Sequence, residues 1–368
     1  MPRICGENCR QCPEPDTIAN TGGTRMTHRS HKIASRFVAP VLAAGFALLM
    51  ASSAFAEPAK IRWGNSSSAS MALSTAEMVA LDEELQRKHD IAVEMTDFHG
   101  NSVNCIAALV ADAVDICQVG ITTGLNAIAE GAEFKAIAAL GGQVMEIVIS
   151  KDVAERVGMD SDTPLDNRIE ALKDLQIVGA GPGTPTYMLL DAIMQRVGMT
   201  VVEDLNFRTL TDTAAMNEGI RGGQIDGALW SPGGLAPVLS DGSGVRVLSL
   251  ATADIPEMSN IALTGVFTKS AWLDGNPDVA RRAKAALVEA VAKLRADPEG
   301  YSAAYKQAQL PELPEEMWQE VLTQNLLAFF GDMTGTKEGW DFWIEQMTAE
   351  GKENAERASF DNTFVAVE

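Results

Sequence analysis

Short apolar, β-branched runs alternate with longer amphipathic stretches along most of this chain, and that alternation restricts it to an α/β architecture. Residues 61–64, 92–98, 115–120, 135–140 and 146–150 read as strands. Between them, 70–88 places Met71, Met78, Leu81 and Leu85 on one helical face, and 101–113 repeats Val103, Ile106, Ala107 and Val110 at helical period. A turn-rich acidic interval at 158–166, with Pro164 inside it, interrupts the pattern. It then restarts, with strands at 176–180, 206–210, 227–230 and 245–250 and helices at 186–197 and 213–221. After a further strand near 266–268 the character becomes purely helical: 277–296, 298–307, 314–330 and 337–349. Pro277, Pro298 and Pro314 each stand where a first helical turn begins, where a missing N–H costs nothing. The expectation is two α/β lobes followed by a helical tail, with crossings between the lobes near 141–150 and 250–262. The first lobe then comprises 57–145 and 258–368, and the second 146–257.

The leading residues carry a different signal. Met26 opens a basic stretch with Arg29, Lys32 and Arg36, an apolar run follows from Phe37 to Ala51, and Ala54-Phe55-Ala56 closes it. This is the three-part pattern of a secretory signal peptide at 26–56, cleaved before Glu57, and it implies a periplasmic protein. The run holds Pro40 and Gly45 and is shorter than the ~20 residues of a membrane-spanning helix. Residues 1–25 read as a non-native upstream extension. Their Cys5, Cys9 and Cys12 match the spacing of an iron–sulfur motif, but such a cluster does not belong ahead of an export signal. Removing the six basic and three acidic residues of 1–56 leaves 23 basic against 47 acidic, a net charge of −24. Such a surface repels nucleic acid and anionic membranes. Cys105 and Cys117 remain, and their apolar neighbours suit either a disulfide or two buried thiols.

Four segments carry a family resemblance. They are Ile61-Arg62-Trp63-Gly64-Asn65-Ser66-Ser67-Ser68, the helix-to-strand run from Ala107 to Gly120, the Gly-rich turn Ile177-Val178-Gly179-Ala180-Gly181-Pro182-Gly183-Thr184, and the run from Arg221 to Trp230 followed by Ser231-Pro232. With Asn276-Pro277 and Phe360-Asp361-Asn362-Thr363-Phe364 in the tail, the chain resembles the substrate-binding proteins of ABC importers in the nitrate, sulfonate and taurine group. The resemblance implies a two-lobed periplasmic binding protein fold of type II. It also implies a small-molecule ligand, ABC permease and ATPase subunits as partners, and a monomer. Solute-binding proteins of tripartite ion-driven transporters have similar motifs. A thiamine-pyrimidine synthase shares the fold but relies on a cysteine-rich motif that is missing here.

The residues themselves point to the same places. In open α/β sheets ligands lie beyond the carboxyl ends of strands, where loops feed helix N-termini whose unpaired N–H groups favour anions. Ser66, Ser67, Ser68, Asn101, Ser102, Thr122, Thr123, Gly183, Thr184, Thr186 and Ser231 occupy such positions, and Trp230 offers a ring to wall the ligand. Ser and Thr also favour these positions simply as helix caps. Asp115 and Asp226 read as setting strand entries, and Gly183 as a turn glycine. None of the twelve arginines after position 56 falls in these loops, so a monoanion such as a sulfonate or carboxylate fits better than a dianion, with nitrate, bicarbonate and a neutral pyrimidine precursor as alternatives. Enzyme chemistry finds little support. His89 and His99 are the only histidines after position 56 and read as surface residues, and no metal-ligand spacing, cofactor loop or nucleophile setting is present.

Overall fold

The computed structural model describes residues 57–66, 73–160 and 162–367. The expected leader at 26–56, the segment 1–25, and Ser67 and Ser68 lie outside the described residues. The first lobe opens with β1 (Ala59–Asn65), α1 (Thr75–Leu81), α2 (Glu83–Lys88), β2 (Ile91–Asp97), α3 (Ser102–Val110), β3 (Ile116–Gly120), α4 (Ile121–Ala129) and β4 (Phe134–Gly141). The chain then builds a second lobe from β5 (Glu146–Ser150), α5 (Lys151–Val157), α6 (Leu165–Glu170), β6 (Ile177–Gly179), α7 (Pro185–Gln195), α8 (Val201–Asp204), β7 (Arg208–Thr209), α9 (Thr213–Arg221), β8 (Gly227–Trp230), α10 (Pro232–Ser240) and β9 (Gly244–Ser249). It returns to the first sheet as β10 (Thr264–Lys269). The tail continues through α11 (Ser270–Gly275), α12 (Pro277–Ala296), α13 (Pro298–Gln309), α14 (Glu315–Ala328), α15 (Lys337–Ala349) and α16 (Phe360–Thr363).

The sheet orders are β2-β1-β3-β10-β4 and β7-β6-β8-β5-β9. In the first, β1 runs parallel to β2 and β3, and β10 slots in antiparallel between β3 and β4. In the second, β6 is parallel to β7 and β8, while β5 runs antiparallel to β8 and β9. Both lobes set their strand entries alike. Asp115 accepts a 2.8 Å hydrogen bond from the Arg62 amide of β1, and Asp226 accepts one of 2.8 Å from the Gln176 amide just ahead of β6. On α12 the residues Ala280, Ala283, Ala286, Leu287, Ala290 and Val291 are buried against Ile61, Trp63 and Val266, small side chains letting the helix lie close to the sheet.

Two expected helices differ in detail. The helix expected over 70–88 is broken at Asp82, whose backbone leaves the helical region, whose carboxylate caps α2 by accepting from the Leu85 amide at 2.9 Å, and which pairs with Lys293 of α12. The break turns Leu81 out to 46% exposure while Met78 and Leu85 stay buried. On α3 the buried stripe is Cys105, Ile106 and Leu109, whereas Val103 and Val110 face outward. A disulfide between Cys105 and Cys117 fixes that rotation by tying α3 to β3. Pro314 caps α14 in extended backbone and is not in its first turn, and His89 is largely buried against Glu289 of α12, so it is not a surface residue.

The two segments that join the sheets lie side by side. The Leu263 amide donates to the Gly141 carbonyl, the Leu250 amide donates to the Met145 carbonyl, each at 2.9 Å, and the buried Gln143 side chain donates to the Ile261 carbonyl at 2.8 Å. Gly142 packs so closely on the Ser259 carbonyl that any Cβ there would overlap main-chain atoms.

Glu77 on α1 is mostly enclosed. Burial and the nearby Asp97 charge push its carboxyl up from an ordinary 4.5 to about 7, against a hydrogen bond from Gln309. A carboxyl raised on folding favours the folded state below pH 4.5, and that contribution is lost as pH rises through about 7. Glu77→Gln should therefore flatten the fall in unfolding free energy between pH 5 and 8, by about 1–3 kcal/mol. Urea titrations at several pH values measure this, and parallel pH profiles for the two proteins would refute it.

Candidate ligand-binding cleft

A cavity of 270 Å³ is lined by residues of both sheets. From the first lobe come His99, Gly100, Asn101, Ser102, Val103, Gly120 and Thr123, together with Leu263 and Thr264 at the start of β10. From the second come Ala180, Gly181, Thr184, Pro185, Thr186, Thr211 and Trp230. These positions follow from the topology, because the carboxyl ends of β3 and β8 lead at once into α4 and α10, and that of β6 leads through the turn at 180–184 into α7. The N-terminus of α3 completes the ring, with Asn101 as its cap accepting from the Asn104 amide at 2.9 Å.

Of the residues expected from sequence, Asn101, Ser102, Thr123, Thr184, Thr186 and Trp230 line this cavity. Ser66 lies one layer back and is buried. Its hydroxyl donates to the Gln118 carbonyl at 3.2 Å and meets the Ser102 hydroxyl at 2.9 Å, while Ser102 accepts from the Gly120 amide at 3.2 Å. The proton arrangement that satisfies all three contacts has Ser102 donating to Ser66. Thr122 is also buried, and its hydroxyl donates to the Gly183 carbonyl at 3.1 Å. Gly183 itself has φ of +80° and does not line the cavity, and Ser231 is buried at the cap of α10, off the lining. Thr184 lines the cavity, but its hydroxyl donates to the Gly181 carbonyl at 2.7 Å and accepts from the Tyr187 amide at 3.3 Å.

Sequence reasoning did not select Thr211, Leu263, Thr264 or His99. Thr211 follows the strand expected at 206–210, so the carboxyl-end rule reaches it. Leu263 and Thr264 are different, since β10 runs antiparallel and presents its first residues to the cleft, not its last. His99, 86% exposed at its side chain, sits at the rim with Nδ1 3.0 Å from Asp97.

No lysine or arginine lines the cavity among the described residues. Positive potential there comes from the amino ends of α3, α4 and α7, and hydroxyl and amide groups add neutral donors. Trp230 reaches the lining from the core of the second lobe, where it is almost wholly buried, and Leu263, Pro185 and Ala180 add apolar lining. Among the described residues no group of three or more histidine, cysteine or acidic side chains could hold a metal ion, and no helix is long and apolar enough to cross a membrane.

The NMT1-like family model matches residues 58–307, which spans both sheets. The chain belongs to the NMT1-like family. A search of curated proteins found no match. Solved structures agree on the fold. The alkanesulfonate-binding protein SsuA from Xanthomonas axonopodis pv. citri, bound to MOPS, aligns with a TM-score of 0.63 at 17% identity, covering 83% of this chain and 99% of that one. The periplasmic aliphatic sulphonate binding protein SsuA from Escherichia coli aligns at 0.63 and 15% identity, over 83% and 98% of the two chains. The periplasmic nitrate-binding protein NrtA from Synechocystis PCC 6803 aligns at 0.61 and 14% identity, over 84% and 86%. This NMT1-like chain thus has the two-lobed periplasmic binding protein fold.

Because the Thr184 hydroxyl is committed to the turn and the helix start, its first effect is structural. Thr184→Ala should lower unfolding free energy by about 1 kcal/mol, read from denaturant midpoints without added ligand. A midpoint equal to that of the unsubstituted protein would contradict this assignment.

Proposed function

We propose that this chain is the periplasmic solute-binding component of an ABC importer and that it captures a compact monoanion in the cleft between its lobes. The observation that carries this reading is the convergence of three helix N-termini, those of α3, α4 and α7, on a 270 Å³ cavity that no lysine or arginine lines among the described residues. Aligned amides and hydroxyls hold a single negative charge well, whereas a dianion would enter without a counter-charge. The volume suits a sulfonate, taurine, a short carboxylate or nitrate, and Trp230 would cover an organic portion. Membership of the NMT1-like family and the fold shared with sulfonate- and nitrate-binding proteins support the same class. In this reading the protein is a monomer exported to the periplasm. It closes on its ligand by hinge motion and presents the closed form to permease and ATPase subunits.

A thermal-shift screen of alkanesulfonates, taurine, short carboxylates, nitrate and sulfate tests this. At least one monoanion should stabilise the protein, since a ligand at 100 times its dissociation constant adds about 2.7 kcal/mol when it binds only the folded state. Sulfate should do less, and the bound compound should be recovered chemically unchanged. Trp230→Ala should weaken binding by about 1–3 kcal/mol in calorimetry. Turnover of the compound, or stabilisation by sulfate alone, would overthrow the proposal.

A further inference from the structure

One set of contacts joins the lobes directly without lining the cavity. The Gly183 carbonyl, on the turn before α7, accepts hydrogen bonds from Thr122 Oγ1 at 3.1 Å and from Asn126 Nδ2 at 3.0 Å, both on α4 of the opposite lobe. Beside them the Pro185 ring lies 3.0 Å from where a Cβ on Gly120 would stand, so the second lobe rests on main chain of the first. Gly183 has φ of +80°, a conformation open to glycine and strained for other residues. Thr122 is fully buried, and Asn126 is partly so.

Each helix in this contact also serves the cavity. Thr123 follows Thr122 on α4, and Thr184, Pro185 and Thr186 follow Gly183 into α7. The shared carbonyl therefore sets the register of two helix N-termini at the ligand position, one residue away from the lining on each side. Separating the lobes breaks both bonds at once. We propose that Thr122 and Asn126 form a closure latch: they set how long the lobes stay shut on a ligand without selecting which ligand is held. This rests on the binder reading above. Neither side chain lines the cavity, so ligand identity is left to the lining. Two neutral hydrogen bonds made only in the closed form shift the closed-to-open ratio by about tenfold.

The test compares the full protein with Thr122→Val/Asn126→Leu, which keeps side-chain volume and removes both donors. Thr122→Ser serves as the conservative control, and Asn126→Leu alone as the fallback if the double variant fails to fold. Small-angle scattering without ligand reads lobe separation, and stopped-flow tryptophan fluorescence with methanesulfonate reads association and dissociation. The latch predicts a larger radius of gyration and about tenfold faster dissociation in the double variant. Association should change less than twofold, the rank order of anions should hold, and Thr122→Ser should behave like the unsubstituted protein. Unchanged dissociation where methanesulfonate binds would overturn the latch. If methanesulfonate binds neither protein, the sulfonate assignment fails by itself. The latch is then decided by scattering, where a larger radius in the variant supports it and equal radii overturn it.

Discussion

The antiparallel insertion of β10 between β3 and β4 is the constraint on which the rest of the molecule depends. A chain that has finished its second sheet at Ser249 must come back to fill a gap in the middle of the first, so two joining segments run together instead of one. Their pairing, through Leu263 to Gly141, Leu250 to Met145 and Gln143 to Ile261, forms a narrow double strip on which lobe motion would pivot. The same return brings Leu263 and Thr264 to the cleft and starts the tail on the first lobe.

Charge is placed along this strip with little tolerance. Arg246 on β9 spans Glu146 on β5 at 2.7 Å and Glu320 on the tail helix α14 at 2.5 Å. Glu146 is fully buried, and burial pushes its carboxyl up while Arg246 pulls it down. Taking the Glu146 carboxylate out of water is costly, and one partly exposed guanidinium shared by it and Glu320 accepts a narrow set of geometries. The cluster contributes orientation of the tail against the second sheet more than net stability.

The strands were legible because each is a short β-branched or apolar run bounded by turn residues, and each of the ten expected runs coincides with an observed strand. Helices that follow a strand without a spacer were not. Thr122 and Thr123 read as a loop feeding a helix, yet α4 already begins at Ile121, and the Phe267 ring fills the space that a side chain at position 124 would need. Pro232-Gly233-Gly234 and the internal Pro237 likewise hide α10. At the cleft, residue type located the right loops but not the direction of each hydroxyl. Ser66, Thr122 and Thr184 have the composition of ligand donors and are engaged with main-chain carbonyls instead. For Ser66 and Thr122 that outcome depends on neighbours distant in sequence, Gln118 and Gly183, and no local pattern encodes it, whereas Thr184 makes a local cap.

The disulfide between Cys105 and Cys117 has a consequence beyond the rotation of α3. It joins residues 12 apart in sequence, about one helical turn along α3 from Asn101 and Ser102, and Gly64 on β1 leaves the room that both sulfurs occupy. Where thiols are kept reduced, that covalent closure is missing and only packing holds the helix in place. Oxidation of these two thiols therefore covalently pins the helix whose first turn carries Asn101 and Ser102 to the cavity rim.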